Sequence, residues 1–251
     1  VEQIIGALSK VNASDPLKPL IDNIVGNNIR GIVAIVGCVT PWDHYGYRHL
    51  VLTKALLAQN ILVVGTGCWA HVAGQRGLLE PNPDYPGVGD GLKAALKAVA
   101  KANGLSALPA CWHMGSCVDN TRILTVLTQM VEEGGLGDDI DQVPAVGLAP
   151  EWMSEKAISI GHYFVVSGVY TVFGVTLPTS GAPVFHDYIC KELEKIYGGM
   201  WDIEPDPIKH ARLMIAHIDK KRKELGIDKA RDRVLMDMAD RREMEAKYQQ
   251  A

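Results

Sequence analysis

The chain has 251 residues, of which 47% are hydrophobic and 22% charged, and its formal net charge is -4. This apolar content fills a core, which excludes a largely disordered protein, and the near-neutral charge argues against nucleic acid as the main partner. No apolar run reaches the ~18 residues of a membrane helix, and no signal peptide is recognisable, so we expect a soluble protein without a membrane span.

Apolar, β-branched runs alternate with helical patterns along the chain. Residues 1–28 are predicted to form leading helices, and five strands separated by helices follow. The predicted strands are Gly31–Val36, Ile61–Val64, Leu108–His113, Val143–Leu148 and Tyr170–Leu177. Short apolar strands separated by helices are typical of a parallel sheet covered on both faces. The sequence therefore predicts an α/β fold over residues 29–227, with a doubly wound, mostly parallel, Rossmann-like sheet.

Helical patterns fill most of the intervals between the strands. The predicted helices are Tyr45–Gln59, Trp69–Leu79, Gly91–Ala102, Asn120–Glu133, Trp152–Ser167 and Pro183–Tyr197. The segment Glu80–Asp90 is rich in proline and glycine and predicts a surface loop. The last 33 residues carry 18 charged side chains, so we expect them to be solvated and assign residues 228–251 to a charged helical tail.

The chain contains five cysteines and no Cys-x-x-Cys pair. An odd number of cysteines in a chain of this size argues against a secreted disulfide framework, and the missing pair argues against a zinc ribbon. A reducing cytoplasm fits this usage, and a small buried hydrophobic side chain is the default interpretation of each cysteine taken alone.

Three cysteines and a lysine follow successive predicted strands. Cys38, Cys68 and Cys117 come after the first, second and third strands, and Lys156 follows the fourth. Ligands bind beyond the carboxyl ends of the strands in such sheets, and thiolates from separate strands are the ligands that an iron–sulfur cluster requires. A small residue before each cysteine would let the backbone approach a cluster. The pattern favours cluster ligation over coincidental burial.

Lys156 has two interpretations. It could pair with Glu151 or Glu155, which would lie four residues apart on one helix face and repel each other without a cation. Its place just inside a helix, among apolar neighbours, instead favours a desolvated, functional amine. Those neighbours are Trp152, Met153 and Ala157.

A dinucleotide site is the main competing interpretation of the second cysteine. Gly65-Thr-Gly-Cys-Trp-Ala70 matches the G-x-G-x-x-G/A fingerprint after a strand. That fingerprint belongs after the first strand of the unit and needs an acidic residue at the end of the next strand. Asp84 and Asp90 end no predicted strand, so nucleotide binding is the weaker hypothesis.

Histidines offer little for a metal site. Cys111, His113 and Cys117 could form a local site, but the ligand count falls short of the usual four. His44 and His49 lie in or near the first helix of the sheet domain, where partly exposed histidines are expected.

Three motifs resemble the C-terminal domain of the nickel–iron carbon monoxide dehydrogenases. They are Val64-Gly-Thr-Gly-Cys68, Gly115-Ser-Cys-Val-Asp-Asn-Thr-Arg122 and Glu151-Trp-Met-Ser-Glu-Lys-Ala157. Their order and spacing agree with that family, and the resemblance spans about residues 30–225. The second and third motifs are specific to the family, whereas the surroundings of the first cysteine are less so.

The resemblance implies a role for each candidate residue. Cys38 and Cys68 match iron ligands of the family's Ni-Fe-S cluster, which contains nickel, iron and sulfide, and Cys117 matches the nickel ligand. Lys156 matches the lysine that hydrogen-bonds the substrate oxygen. The family reaction oxidises CO with water to CO2, two protons and two electrons, and it is reversible. Nickel and the reaction come from the resemblance alone.

The resemblance also implies missing parts. The family takes a histidine, further cysteines and additional 4Fe-4S clusters from preceding domains, and the chain begins at Val1 rather than at methionine. We therefore expect the C-terminal segment of a longer enzyme, inactive by itself. Its implied partners are the missing N-terminal and middle domains, a second copy in a homodimer and a ferredoxin-like electron acceptor. The resemblance also allows acetyl-CoA synthase as a further partner.

Departures from the family pattern leave alternatives open. Val-Thr-Pro follows Cys38 where the family commonly has asparagines, and Trp69 and His71 follow Cys68 where smaller residues are usual. One alternative is the related hybrid-cluster (hydroxylamine reductase-like) enzymes, whose equivalent of the Gly115-Ser-Cys motif carries Gly-Gln-Cys-Asn-Asp and whose lysine motif lacks Glu-Trp-Met-Ser. The other is a non-catalytic Rossmann-like scaffold subunit.

Overall fold

A computed structural model describes residues 2–41 and 44–228. Within these residues six strands form a single sheet in the order β3-β2-β1-β4-β5-β6, and every neighbouring pair is parallel. The strands are β1 Gly31–Ile35, β2 Ile61–Thr66, β3 Cys111–Gly115, β4 Ala145–Ala149, β5 Tyr170–Phe173 and β6 Trp201–Ile203. The predicted doubly wound α/β fold is confirmed, since this is the order of a Rossmann-type sheet.

Helices connect the strands and pack around the sheet. They are α1 Glu2–Ser9, α2 Lys18–Val25, α3 Tyr47–Ala58, α4 Gly67–Gln75, α5 Asp90–Ala102, α6 Thr121–Glu133, α7 Glu155–Val166, α8 Pro183–Asp187, α9 Leu193–Tyr197 and α10 Pro207–Glu224. A π-helical turn, Tyr188–Glu192, joins α8 to α9, so the single helix predicted there is interrupted. No helix in the described part of the chain is both long enough and apolar enough to cross a membrane.

Two strands begin later than the apolar pattern predicts. β3 begins at Cys111 rather than Leu108, and β4 begins at Ala145 rather than Val143. Pro109 and Pro144 lie just before these starts. Proline has no N–H to donate to a sheet, so each proline sets the amino end of its strand.

β6 and the packing of α10 do not follow from the apolar pattern of the sequence. β6 has three residues and pairs with β5 at the sheet edge. α10 is rich in charged residues, yet it buries Met214 and Ile218 against the core, together with Arg222, which is 1% exposed. The prediction that the last 33 residues are solvated is therefore wrong for Arg222. The tail assigned to residues 228–251 lies, beyond Asp228, outside the described residues.

Arg222 and Asp219 fix α10 to the start of β1. The Arg222 guanidinium donates to the carbonyl oxygens of Ile24, Arg30 and Ile227 at 2.9, 3.1 and 2.6 Å. Asp219 accepts two hydrogen bonds from the Arg30 guanidinium, at 2.8 and 2.5 Å. Hydrogen bonds that satisfy a buried charge are among the stronger polar contacts, so the charged residues of α10 contribute to packing.

Candidate functional site

The crevice at the carboxyl ends of β1 and β4 is the place where this fold is expected to bind a ligand. The strand order reverses between these two strands, which makes their shared boundary the topological switch point of the sheet. Cys38 lies three residues beyond the end of β1, and Glu151 lies two residues beyond the end of β4. The predicted position of Cys38 at a strand end is confirmed.

The loop that carries Cys38 passes directly against Glu151. Gly37 has φ +95°, and a Cβ placed on it would lie 2.6 Å from the Glu151 carbonyl oxygen. The Cys38 N–H donates to that same oxygen at 3.0 Å. Both the backbone conformation and the close approach therefore require glycine before the cysteine.

Glu151 is buried in the crevice rather than lying on a helix. α7 begins at Glu155, after Ser154 in extended conformation, so Glu151 and Glu155 do not share a helix face. That expectation is wrong because the residues between them do not enter the helix. Oε2 of Glu151 accepts a hydrogen bond from the Thr40 N–H at 2.5 Å, and Oε1 lies 3.9 Å from Nε of Arg48.

The loops of Cys68 and Cys117 contact each other. Gly67, with φ +59°, precedes Cys68 at the start of α4, and an added Cβ there would lie 3.1 Å from Cβ of Cys117. Thr66 donates through Oγ1 to Oδ1 of Asn120 at 2.6 Å, and the Asn120 amide donates to the Cys117 carbonyl at 2.6 Å. Both thiols are exposed. The ends of β2 and β3 are thus tied together with two cysteines at the surface.

Lys156 follows β4 as predicted, as the second residue of α7, but its side chain is exposed. Met153 in its predicted apolar frame is 61% exposed, whereas Ala157 is buried. The described residues therefore do not desolvate the amine, contrary to the expectation from its neighbours. Lys156 also forms no salt bridge with any described residue, so the simple ion-pair interpretation has no support either.

His49 is a residue that sequence reasoning misplaced. It is 0% exposed in α3, and burial is the main cause that lowers its pKa to about 3. Its ring lies beside the backbone of Cys38, and neither ring nitrogen makes a well-formed hydrogen bond to a described group. The His49 carbonyl accepts from Thr53, whose Oγ1 accepts from the Trp69 indole. These buried contacts connect the loop of Cys38 with α4, the helix that carries Cys68.

Other candidate ligands are placed elsewhere. Cys111 is 0% exposed at the start of β3, and burial raises the pKa of its thiol to about 12, so it is a core residue. Over residues 2–41 and 44–228, no group of three or more His, Cys, Asp or Glu side chains is arranged to hold a metal ion. The described residues of this chain therefore supply separate thiols at one edge rather than a closed site.

The glycine fingerprint at Gly65–Ala70 spans the last two residues of β2 and the start of α4, and β2 is not a strand of the switch point. Asp84 lies in the loop after α4, and Asp90 is the first residue of α5, so neither ends a strand. The geometry therefore also argues against nucleotide binding at this fingerprint.

The chain is similar to proteins of known family. Residues 2–208 match the Prismane/CO dehydrogenase family. Carbon monoxide dehydrogenase 1 of Methanosarcina mazei is 44% identical over 210 residues, which are 84% of this chain and 32% of that protein. The chain thus spans about a third of the length of the curated relatives it matches.

Two solved structures are similar over most of the chain. Carbon monoxide dehydrogenase IV from Carboxydothermus hydrogenoformans has a TM-score of 0.85 and 42% identity, covering 89% of this chain and 35% of its own. An acetyl-CoA synthase/carbon monoxide dehydrogenase, described with NiZn[Fe4S4] and NiNi[Fe4S4] clusters, has a TM-score of 0.85 and 33% identity, covering 99% of this chain and 35% of its own.

Proposed function

The chain belongs to the Prismane/CO dehydrogenase family, and we propose that it is the C-terminal active-site part of a nickel–iron–sulfur carbon monoxide dehydrogenase. The proposed reaction is the reversible oxidation of CO with water to CO2, two protons and two electrons. The similar proteins carry the name carbon monoxide dehydrogenase, which favours this activity over that of a hybrid-cluster enzyme or a scaffold subunit.

Cys38, Cys68 and Cys117 are the proposed cluster ligands, the first two for iron and the third for nickel. The observation that carries this proposal is the contact between Gly67 and Cys117, which brings two exposed thiol-bearing loops together at one edge of the sheet. Cys38 follows the adjacent strand, β1. Three accessible thiols are a suitable donor set for a sulfide cluster. When bound, the cluster supplies the Lewis acidity and the two-electron redox chemistry that CO oxidation requires.

Lys156 is the proposed catalytic residue. Its ammonium group would hydrogen-bond the substrate oxygen and stabilise negative charge that develops there. The amine lies at the start of α7, which follows β4 across the switch point from Cys38. This chain's contribution to turnover is therefore a cation placed next to the crevice, with the thiols holding the reacting centre.

The proposed site needs parts that the described residues do not supply. Three thiols leave cluster positions unfilled, so we propose that a histidine and further cysteines come from preceding N-terminal and middle domains, which also hold 4Fe-4S clusters. The proposed whole enzyme is a homodimer that passes electrons to a ferredoxin-like acceptor. An acetyl-CoA synthase partner has support from one structural relative, which is itself an acetyl-CoA synthase/carbon monoxide dehydrogenase. Five unpaired thiols support a reducing, cytoplasmic location.

The ligand proposal is tested by producing the chain together with the part of the Methanosarcina mazei relative that it does not match. We expect CO-dependent dye reduction and bound nickel and iron. Cys117→Ala should lose most of the nickel and the activity, because a thiolate ligand is removed. Cys190→Ala is the matched control, since that half-buried cysteine lies in the π-helical turn between α8 and α9 and in none of the three loops. Full nickel content in Cys117→Ala would contradict the ligand assignment.

A further inference from the structure

Glu151 is a buried acidic residue in the crevice between β1 and β4, and only 2% of its side chain is exposed. A buried carboxylate is costly unless hydrogen bonds and an opposite charge compensate for the lost water. The contacts that compensate for Glu151 therefore indicate what the residue does.

Two contacts of Glu151, one made by its backbone carbonyl and one by its carboxylate, hold Cys38 and Thr40 in the loop that carries the thiol. The Glu151 carbonyl accepts from the Cys38 N–H at 3.0 Å, and its carboxylate accepts from the Thr40 N–H at 2.5 Å. The hydrogen bond from the Val36 N–H to the Leu148 carbonyl, at 2.8 Å, comes just before them and joins the same two segments, the ends of β1 and β4. Glu151 thus extends the attachment of β1 to β4 past the ends of both strands and through the loop that carries the cysteine.

Arg48 compensates the charge and anchors the carboxylate. Its Nε lies 3.9 Å from Oε1 of Glu151, and its guanidinium donates to the carbonyls of Gly174 and Pro205 at 2.7 and 3.1 Å. These carbonyls follow β5 and β6. The carboxylate is therefore held against the ends of the strands on the far side of the switch point, while its other oxygen holds the Cys38 loop.

We propose that Glu151 is a positioning residue that fixes the Cys38 loop and so places the Cys38 thiol for cluster ligation. The inference rests on the proposed function for the identity of Cys38 as a ligand. The hold on the loop itself requires no metal, because each of these contacts is made by the chain's own atoms. This positioning role would explain why the Glu-Trp-Met-Ser-Glu-Lys motif begins with an acidic residue.

Alkylation of individual thiols in the metal-free chain tests this hold. Iodoacetamide labelling followed by mass spectrometry gives a rate for each cysteine. In Glu151→Ala we expect the Cys38 rate to rise about tenfold, because the Thr40 N–H loses its partner and the loop opens more often. The rates of Cys68 and Cys117, which are already exposed, should stay at their wild-type values.

Two controls separate positioning from general loss of structure. Cys111 is 0% exposed in β3, so its labelling rate reports global unfolding. Glu155→Ala removes an exposed acid four residues further on and should leave all rates unchanged. Glu151→Ala with Cys111 still protected and an unchanged Cys38 rate would overturn the proposal.

A variant that unfolds is replaced by Glu151→Gln, which keeps an oxygen acceptor for the Thr40 N–H and loses the charge that faces Arg48. If Glu151→Ala also exposes Cys111, the folded glutamine variant decides. A selective rise of Cys38 labelling, smaller than tenfold, supports the proposal, and a wild-type rate contradicts it.

The assembled enzyme separates this inference from the proposed function. There, Glu151→Gln is expected to change the electron paramagnetic resonance spectrum of the cluster and to lower the iron content. If Cys38→Ala leaves the iron and nickel content unchanged, the ligand assignment fails while the labelling result still stands. If Cys38→Ala loses metal and Glu151→Gln keeps the wild-type spectrum, the positioning role is wrong and the ligand assignment stands.

Discussion

Lys156 lies one residue inside α7, and its amine is exposed to water. An ammonium group in water stabilises a neighbouring negative charge only weakly, because the high dielectric constant and dissolved ions screen it. The same group in a water-excluded site stabilises developing charge far more. The proposed catalytic role therefore depends on cover from the rest of the enzyme, whereas the thiols need no such cover to bind metal.

Replacing Lys156 with alanine in the assembled enzyme should lower kcat for CO-dependent dye reduction about 10²–10³-fold, the effect of removing one preorganised charge donor. Iron and nickel content should not change, because the amine is not a metal ligand. Lys195→Ala is the control, since it removes an exposed amine that pairs with Glu192 and should leave kcat unchanged. A wild-type kcat in Lys156→Ala would show that Lys156 is a surface residue without a catalytic role.

α10 shows how a helix rich in charged residues can be part of a core. Its buried side carries Met214 and Ile218, and its last turn carries Arg222, which reaches back to the carbonyls at the end of α2 and the start of β1. The guanidinium thus donates to backbone carbonyls at the junction of α2 and β1. The last turn of the helix thereby lies at the amino end of β1, opposite the end that carries Cys38.

Arg222→Ala is expected to lower the free energy of unfolding by about 3 kcal/mol, because it removes several charge-assisted hydrogen bonds to buried carbonyls. Urea denaturation followed by circular dichroism measures the change. Lys223→Ala alters the adjacent exposed residue and should stay within about 0.5 kcal/mol of the wild type. Equal stability of the two variants would show that the guanidinium contacts contribute nothing to folding.

Burial lowers the pKa of three histidines among the described residues, His49, His210 and His217. His210 is 1% exposed in α10, and burial lowers its pKa to about 3, although hydrogen bonds with the Glu204 and Val172 backbone oppose the shift. His217 in the same helix stacks on Tyr170 at 4.4 Å, and its burial also lowers the pKa to about 3. In the unfolded chain both groups regain an ordinary pKa near 6.5.

Acid should therefore destabilise the fold below about pH 6.5. Between that pH and about 3 the unfolded chain binds protons that the folded chain does not, so the free energy of unfolding falls as the pH falls, by up to about 1.4 kcal/mol per unit for each histidine. Urea titrations at several pH values should show a smaller fall for His210→Phe than for the wild type. Ser159→Ala, which changes an exposed residue that does not titrate in this range, should keep the wild-type dependence.

The alternation of apolar runs and helical patterns is sufficient to predict the parallel sheet and the strand ends at which the three cysteines lie, because both follow from local sequence. β6 escapes prediction because three residues with an aspartate at the centre form no apolar run. The burial of Glu151 escapes it because its compensation comes from Thr40 and Arg48, which are distant in sequence. Residues whose environment is set by non-local partners are the ones that the structure was needed to place.

The strand order divides the proposed site between two halves of the chain. All three cysteines follow β1, β2 and β3, which are made first and lie on one side of the switch point, whereas Lys156 follows β4 on the other side. The proposed metal ligands and the proposed substrate contact thus lie on separate halves of one sheet. Glu151 is the residue that joins the two halves, because it follows β4 and accepts hydrogen bonds from the loop that follows β1.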